Sequence, residues 1–347
     1  MSNIRILLLC LSFSFCFVAM APPRHRIVNI VNKNSLTSEE NQLVTQYAIG
    51  WAEALDTIDA TELFTARRRL IGPLSQDADM SPYVRSVYSK GVLTGVSPLL
   101  DPSNTNEMGL VNALQVLSVI GSEQASRKLL EMVGVSEEKR DSARLWASIG
   151  LGKSFMIGVI PSRKIIKYAT HLQEHISKEP KWFVIVEQFS ALAALQDTMN
   201  INSTEKRTHE ETSLILQTKA INSFVDSLRD SPFIDEKFTA MSMVLPSLRM
   251  QLNSPLLDLG KRTAAQKELV EPLCKLVTIS VEGVEAAKDN DALFNAYGQA
   301  IESAGLIVDR YFGLDDDARS SLMDLWKDNN TPAILDRVTQ WKSFIKK

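Results

Sequence analysis

The chain has 347 residues, 45% hydrophobic and 23% charged. That is enough apolar material for a sizeable folded core and excludes a disordered chain. A formal net charge of -3 supplies no general basic surface, so neither nucleic acid nor an anionic membrane is expected as a partner.

Residues 1–21, MSNIRILLLCLSFSFCFVAMA, place Arg5 ahead of an apolar run from Ile6 to Met20. They end in Ala19-Met20-Ala21, the small-x-small pattern of a secretory signal peptide. The run falls short of the about 20 apolar residues that a spanning helix needs. The expectation is export to a periplasmic or extracellular space, with no membrane contact beyond this segment. Pro22 follows the scissile bond and obstructs cutting, so an uncleaved amino-terminal anchor is the alternative. Cleavage would remove Cys10 and Cys16 and leave only Cys274, which rules out an internal disulfide. Cys274 sits in LVEPLCKLVTI, where a buried, inert thiol is expected.

Residues 22–36 have no helical period and read as an extended leader. From residue 37 the pattern is helical. Thr37 and Glu40 form a capping box. Behind them Leu43, Tyr47, Trp51, Ala54 and Leu55 recur at three- and four-residue steps. No alternation of strand type appears in the mature body. Short polar turns separate the helices, several placing Ser, Asp or Asn before a helix. The predicted organisation is an amino-terminal helical-repeat half over 37–199, a polar linker over 200–212, and a carboxy-terminal helical half over 213–347. The fold class is all-α: stacked antiparallel helix pairs, as an α-solenoid or an irregular helical array.

The clearest repeat signal lies between residues 110 and 154. Gly121 and Gly150 are each preceded by Ile and are predicted to end helices. Ser122 and Ser136 are predicted to cap the next helices. Glu123, Glu137 and Glu138 would lie in their first turns, where negative charge favours the helix dipole. With the Leu129-Leu130 pair and Arg140 followed by Ala143, this stretch resembles the HEAT-type α-solenoid repeats over about one and a half repeats. The resemblance implies a non-enzymatic scaffold that presents helices to a protein or peptide partner. It implies Arg140, Arg144 and Glu187 as contact residues on the inner helices of the stack.

Two motifs suggest chemistry instead. Ala147–Ser154 reads A-x-x-x-x-G-K-S, a relaxed phosphate-binding loop centred on Lys153. Such a loop needs a buried strand before it, and the upstream EEKRDSARLW is amphipathic helix, so no nucleotide or other cofactor is expected. His171-x-x-Glu174-His175 has the spelling of the inverzincin metallopeptidases. That resemblance implies zinc held by His171 and His175, with Glu174 as the base, in a zinc-dependent hydrolase. The third ligand of that family, a Glu well downstream, has no counterpart here, nor does its sheet. The competing reading is a solvated helix face. The expected function is therefore a binding protein, with zinc hydrolysis as the alternative.

Overall fold

A computed structural model of the chain describes residues 27–74, 80–254, 257–314 and 320–345. The signal segment and the start of the leader lie outside these residues. Among the described residues every regular element is helical and there is no strand. Residues 27–36 form tight turns rather than an extended leader. The amide of Ile30 donates to the Ile27 carbonyl and that of Lys33 to the Ile30 carbonyl. Ile27 and Val31 are buried, and that burial draws the segment onto the body.

The first helices are α1 (Ser38–Glu53), α2 (Ala60–Ile71) and α3 (Pro82–Val96). The capping box at α1 forms as expected, with Thr37 Oγ1 accepting from the Glu40 amide and Glu40 accepting from the Thr37 amide. Asp59 caps α2, and Ser81 caps α3 with Pro82 in its first turn. α1 and α3 lie very close together. A Cβ on Gly95 would come within 2.6 Å of Ala52 Cβ and 2.7 Å of the Ile49 carbonyl.

The centre of the chain comprises α4 (Glu107–Ile120), α5 (Glu123–Leu130), α6 (Asp141–Ile157), α7 (Ser162–Ile176), α8 (Trp182–Ala193), α9 (Ser203–Asp226), α10 (Ile234–Leu252) and α11 (Leu259–Glu282). Here each helix packs against the one two places further on. α4, α6, α8 and α10 adjoin in one layer; α5, α7, α9 and α11 adjoin in a second. This alternation is what stacked helical hairpins produce. The chain then passes through the short α12 (Val284–Ala287). α13 (Asp291–Phe312) continues the first layer beside α10, α15 (Thr331–Ile345) continues the second beside α11, and α14 (Leu322–Lys327) bridges them. Leu117, Leu129, Leu151, Leu172, Ile185, Leu214, Leu245 and Leu273 are buried along the seam between the layers. Each such side chain contributes about 1.5–3 kcal/mol.

Several expectations change. Gly121 does end α4 in the left-handed region, at φ 59°, and Ser122 caps α5. Gly150 ends nothing: α6 runs through Gly150 and Gly152 and stops at Gly158, with φ 68°. Both internal glycines serve close packing. A Cβ on Gly150 would meet Leu129 Cδ1 at 2.9 Å, and one on Gly152 would meet Ala191 Cα at 3.2 Å. Ser136 caps no helix, because residues 131–140 are a turn-rich connector leading to Arg140 at the start of α6. Glu137 and Glu138 belong to that connector and not to a first helical turn. The polar segment 200–212 is not a linker. From Ser203 it is the first part of α9, started by a second capping box between Asn202 and Glu205. Its polarity reflects an exposed helix surface, not a break in the stack.

Candidate functional site

The two layers differ in what they show to solvent, although the second layer also exposes Ile215 on α9 and Leu259 on α11. In the first layer, the stripe of α6 facing away from the second layer carries Leu145, Trp146, Ile149 and Met156, all partly exposed. The corresponding stripes offer Met108, Val111 and Val119 on α4, Phe183, Val186 and Ala193 on α8, and Met243 and Met250 on α10. Met108, Met243 and Met250 are exposed. A shallow cleft between α8 and α10 is lined by Val186, Phe189, Ser190, Ala193, Met243 and Ser247. Glu187 lies on this face, and burial among its neighbours raises its carboxyl above the usual range.

The second layer is charged. α7 exposes Arg163, Lys164, Lys167, His171, Glu174 and Lys178 along its solvent side and just past its end. α9 exposes Lys206, Arg207 and Lys219, and α11 exposes Lys261, Lys267, Glu268 and Glu271. This is the face of an ordinary solvated helix row.

The two arginines expected at a partner surface are spent inside the protein. Arg144 is 1% exposed. Its Nε and Nη2 donate to Glu179 at 2.7 and 2.9 Å, and Nη2 also donates to Asp141 at 2.7 Å. Its Nη1 donates to the carbonyls of Glu138 and Lys139, each at 3.0 Å. Glu179, itself 1% exposed, follows α7, so this pair ties α6 to the end of the next hairpin's first helix. Arg140 grips Glu138 with Nε and Nη2 and donates to the Asn104 carbonyl at 3.0 Å. Both arginines therefore fix the 131–140 connector and are withdrawn from any contact surface.

Lys153 is exposed in the middle of α6. The amides around it are helical, so Ala147–Ser154 forms no cradle for phosphate. His171 and His175 share one side of α7, with their Nε2 atoms 3.4 Å apart and their rings nearly perpendicular. Glu174 does not stand between them as a base would. Its Oε2 lies 3.3 Å from His171 Nδ1, on the far side of that ring. Burial holds His175 below the ordinary imidazole value. Among the described residues no group of three or more His, Cys, Asp or Glu side chains is arranged to hold a metal ion. Cys274 is fully buried, and burial pushes its thiol up to about 11, which keeps it protonated and unreactive.

Sequence reasoning missed one buried polar cluster. His209 of α9 is fully buried, with Nε2 2.6 Å from Ser162 Oγ and Nδ1 3.0 Å from Thr198 Oγ1. Thr198 donates its own proton to the Leu195 carbonyl at 2.8 Å. The ring must then donate from Nδ1 and accept from Ser162 at Nε2. Burial lowers its pKa, in keeping with this neutral form. The cluster joins α7, the turn after α8, and α9.

No family model and no curated protein matches this chain. Among the described residues no helix is long and apolar enough to cross a membrane.

Proposed function

We propose that the protein is an exported, non-enzymatic helical-array binding protein whose first layer receives a protein or peptide partner. The observation that carries this reading is the row of partly exposed apolar side chains from α4 to α10, set against the charged second layer. A helix face that only needed solvation would carry charge, as α7 and α11 do; apolar surface left open along successive helices is the usual mark of a docking face. The stacking of helix upon second-neighbour helix supports the likeness to HEAT-type arrays, which present one layer of helices to partners. Export rests on the signal-like pattern of residues 1–21.

The test is photo-crosslinking in the exporting host, with the reactive group placed at Ile149 or Met243 and, as the control, at Lys167 or Lys267. The proposal expects a discrete adduct from the first pair only. It further expects Val186→Lys with Met243→Lys to abolish that adduct while circular dichroism and melting stay unchanged. Equal yields from both layers would refute it. Zinc hydrolysis draws less support, since Glu174 faces the back of His171 rather than the space between the two Nε2 atoms.

A further inference from the structure

We propose that Ser162 is an activated nucleophile that takes one acyl group from an ester and holds it, with His209 as the base that receives the serine proton. The residues involved lie on α7, α9 and the turns beside them, and not on the docking face. Hydrogen-bond direction sets the roles. Thr198 gives its proton to the Leu195 carbonyl, so towards His209 Nδ1, 3.0 Å away, it can only accept. Nε2 is then the bare nitrogen, and the Ser162 hydroxyl donates to it across 2.6 Å. A nucleophile, a base and a third group that fixes the tautomer of the base are what acyl transfer to a hydroxyl requires, at hydrogen-bond separations such as these. Burial favours neutral His209, the form in which it can take a proton.

The backbone supplies the complementary charge. Ser162 is the first residue of α7, a helix without a side-chain cap. The amides of Lys164 and Ile165 donate to the Pro161 carbonyl. Those of Ser162 and Arg163 have no acceptor among the described residues and sit at the positive end of the helix dipole. The amide of the residue after a nucleophile is a common donor to the oxyanion of a tetrahedral intermediate.

The step balances without a further reactant. Ser162 Oγ bonds to the carbonyl carbon of the ester, and the hydroxyl proton passes to His209 Nε2. The bond from that carbon to the leaving oxygen then breaks, and the oxygen departs as an alcohol with the proton from Nε2. Ser162 is partly exposed, so an electrophile can reach Oγ, whereas His209 is fully buried. A hydrolytic water is thereby denied Nε2, and the acyl group stays. Val159 and Met199, both exposed, lie on the two turns that carry the cluster and offer an apolar rest for the acyl chain. Gly158 lets these turns meet: its φ is 68°, and a Cβ there would overlap the Met199 carbonyl. The Met199 amide donates to the Met156 carbonyl at 2.8 Å and Asn200 Nδ2 to the Ile157 carbonyl at 3.2 Å, which holds turn to turn.

The experiment is labelling of the full-length protein with a biotinylated fluorophosphonate, in which Ser162 Oγ bonds to phosphorus as fluoride leaves. The expected result is one adduct per chain, located by fragmenting the tryptic peptide of residues 154–163 and carried by Ser162 rather than Ser154. Ser162→Ala, which alters one partly exposed side chain, should remove it. His209→Gln, checked for folding by circular dichroism, should slow labelling by about 100-fold or more, the usual worth of a positioned base. With p-nitrophenyl acetate the protein should release one equivalent of nitrophenolate in a burst above the Ser162→Ala background and then stop. Should His209→Gln not fold, the burst and Ser162→Ala decide alone. No adduct, an adduct elsewhere, or an undiminished rate in folded His209→Gln would overturn the proposal. Steady release that Ser162→Ala abolishes would overturn retention of the acyl group.

Discussion

The two layers are built from the same kind of helical hairpin, yet they treat solvent differently. α7 and α11 surround a narrow apolar stripe with lysine, arginine and glutamate, so their outer surfaces are satisfied by water. α6 and α8 keep apolar side chains on the outside as well, and the charges they carry there are few, chiefly Lys153 and Glu187. Layer position alone does not require this, since both rows need one buried face and one free face. The surplus apolar surface of the first layer is therefore a property separate from folding, and under the proposed function it is the surface a partner would cover.

The comparison can be broken most forcefully at the tie between the layers. Arg144→Ala would leave Glu179 buried without its partner, at an expected cost of about 3–5 kcal/mol in denaturant unfolding. Replacing both with apolar residues, Arg144→Met with Glu179→Leu, should recover much of that loss. If the single change proves mild, the layers are held by apolar packing alone. Gly95→Ala at the α1–α3 contact should cost about 1–3 kcal/mol, because backbone atoms must move to admit the methyl group. Gly72→Ala, with open space around its Cβ position, is the matched control.

Acid should act through His209. Its pKa lies below the ordinary 6.5 in the folded chain, so the unfolded chain binds the extra proton first. The stability contribution is thus complete above about 6.5 and is lost as pH falls from there toward the folded value. Urea midpoints measured from pH 7.5 downward should fall, and less steeply in His209→Gln. Parallel slopes would assign the acid sensitivity elsewhere. The smallest effects belong to the outer faces. Met243→Lys and Lys267→Glu should each shift stability by less than about 0.5 kcal/mol. Only the first should alter partner capture, and an equal effect of both on capture would erase the distinction between layers.

Much of this organisation is legible from local signals. Thr37 with Glu40, and Gly121 with Ser122, act where they stand because capping needs only residues three or four apart. Asn202 and Glu205 have the same spacing, so the start of α9 was readable too, but the surrounding polar residues resemble a linker in composition. Gly150 and Gly152 show where local reading stops. The glycine that ends a helix and the glycine that admits a neighbouring one have the same chemistry, and only Leu129 and Ala191, contributed by other helices, tell them apart. Arg144 fails for the same reason. Its partner Glu179 lies on the next hairpin, and an arginine looks equally suited to a surface until that distant carboxylate is in place. The histidine pair was visible as a spacing. Glu137 behind His175 was not, because it arrives from a connector whose path depends on those buried ion pairs.

Alternation of contacts along the stack also has a mechanical side. The principal contacts among the described residues join helices close together in chain order. In a chain built this way each unit leans mainly on its neighbours, so tension meets one interface at a time. Pulled from its ends, such a protein should yield in steps rather than all at once. The interface between the two hairpins joined by Arg144 and Glu179 would be among the last to give way.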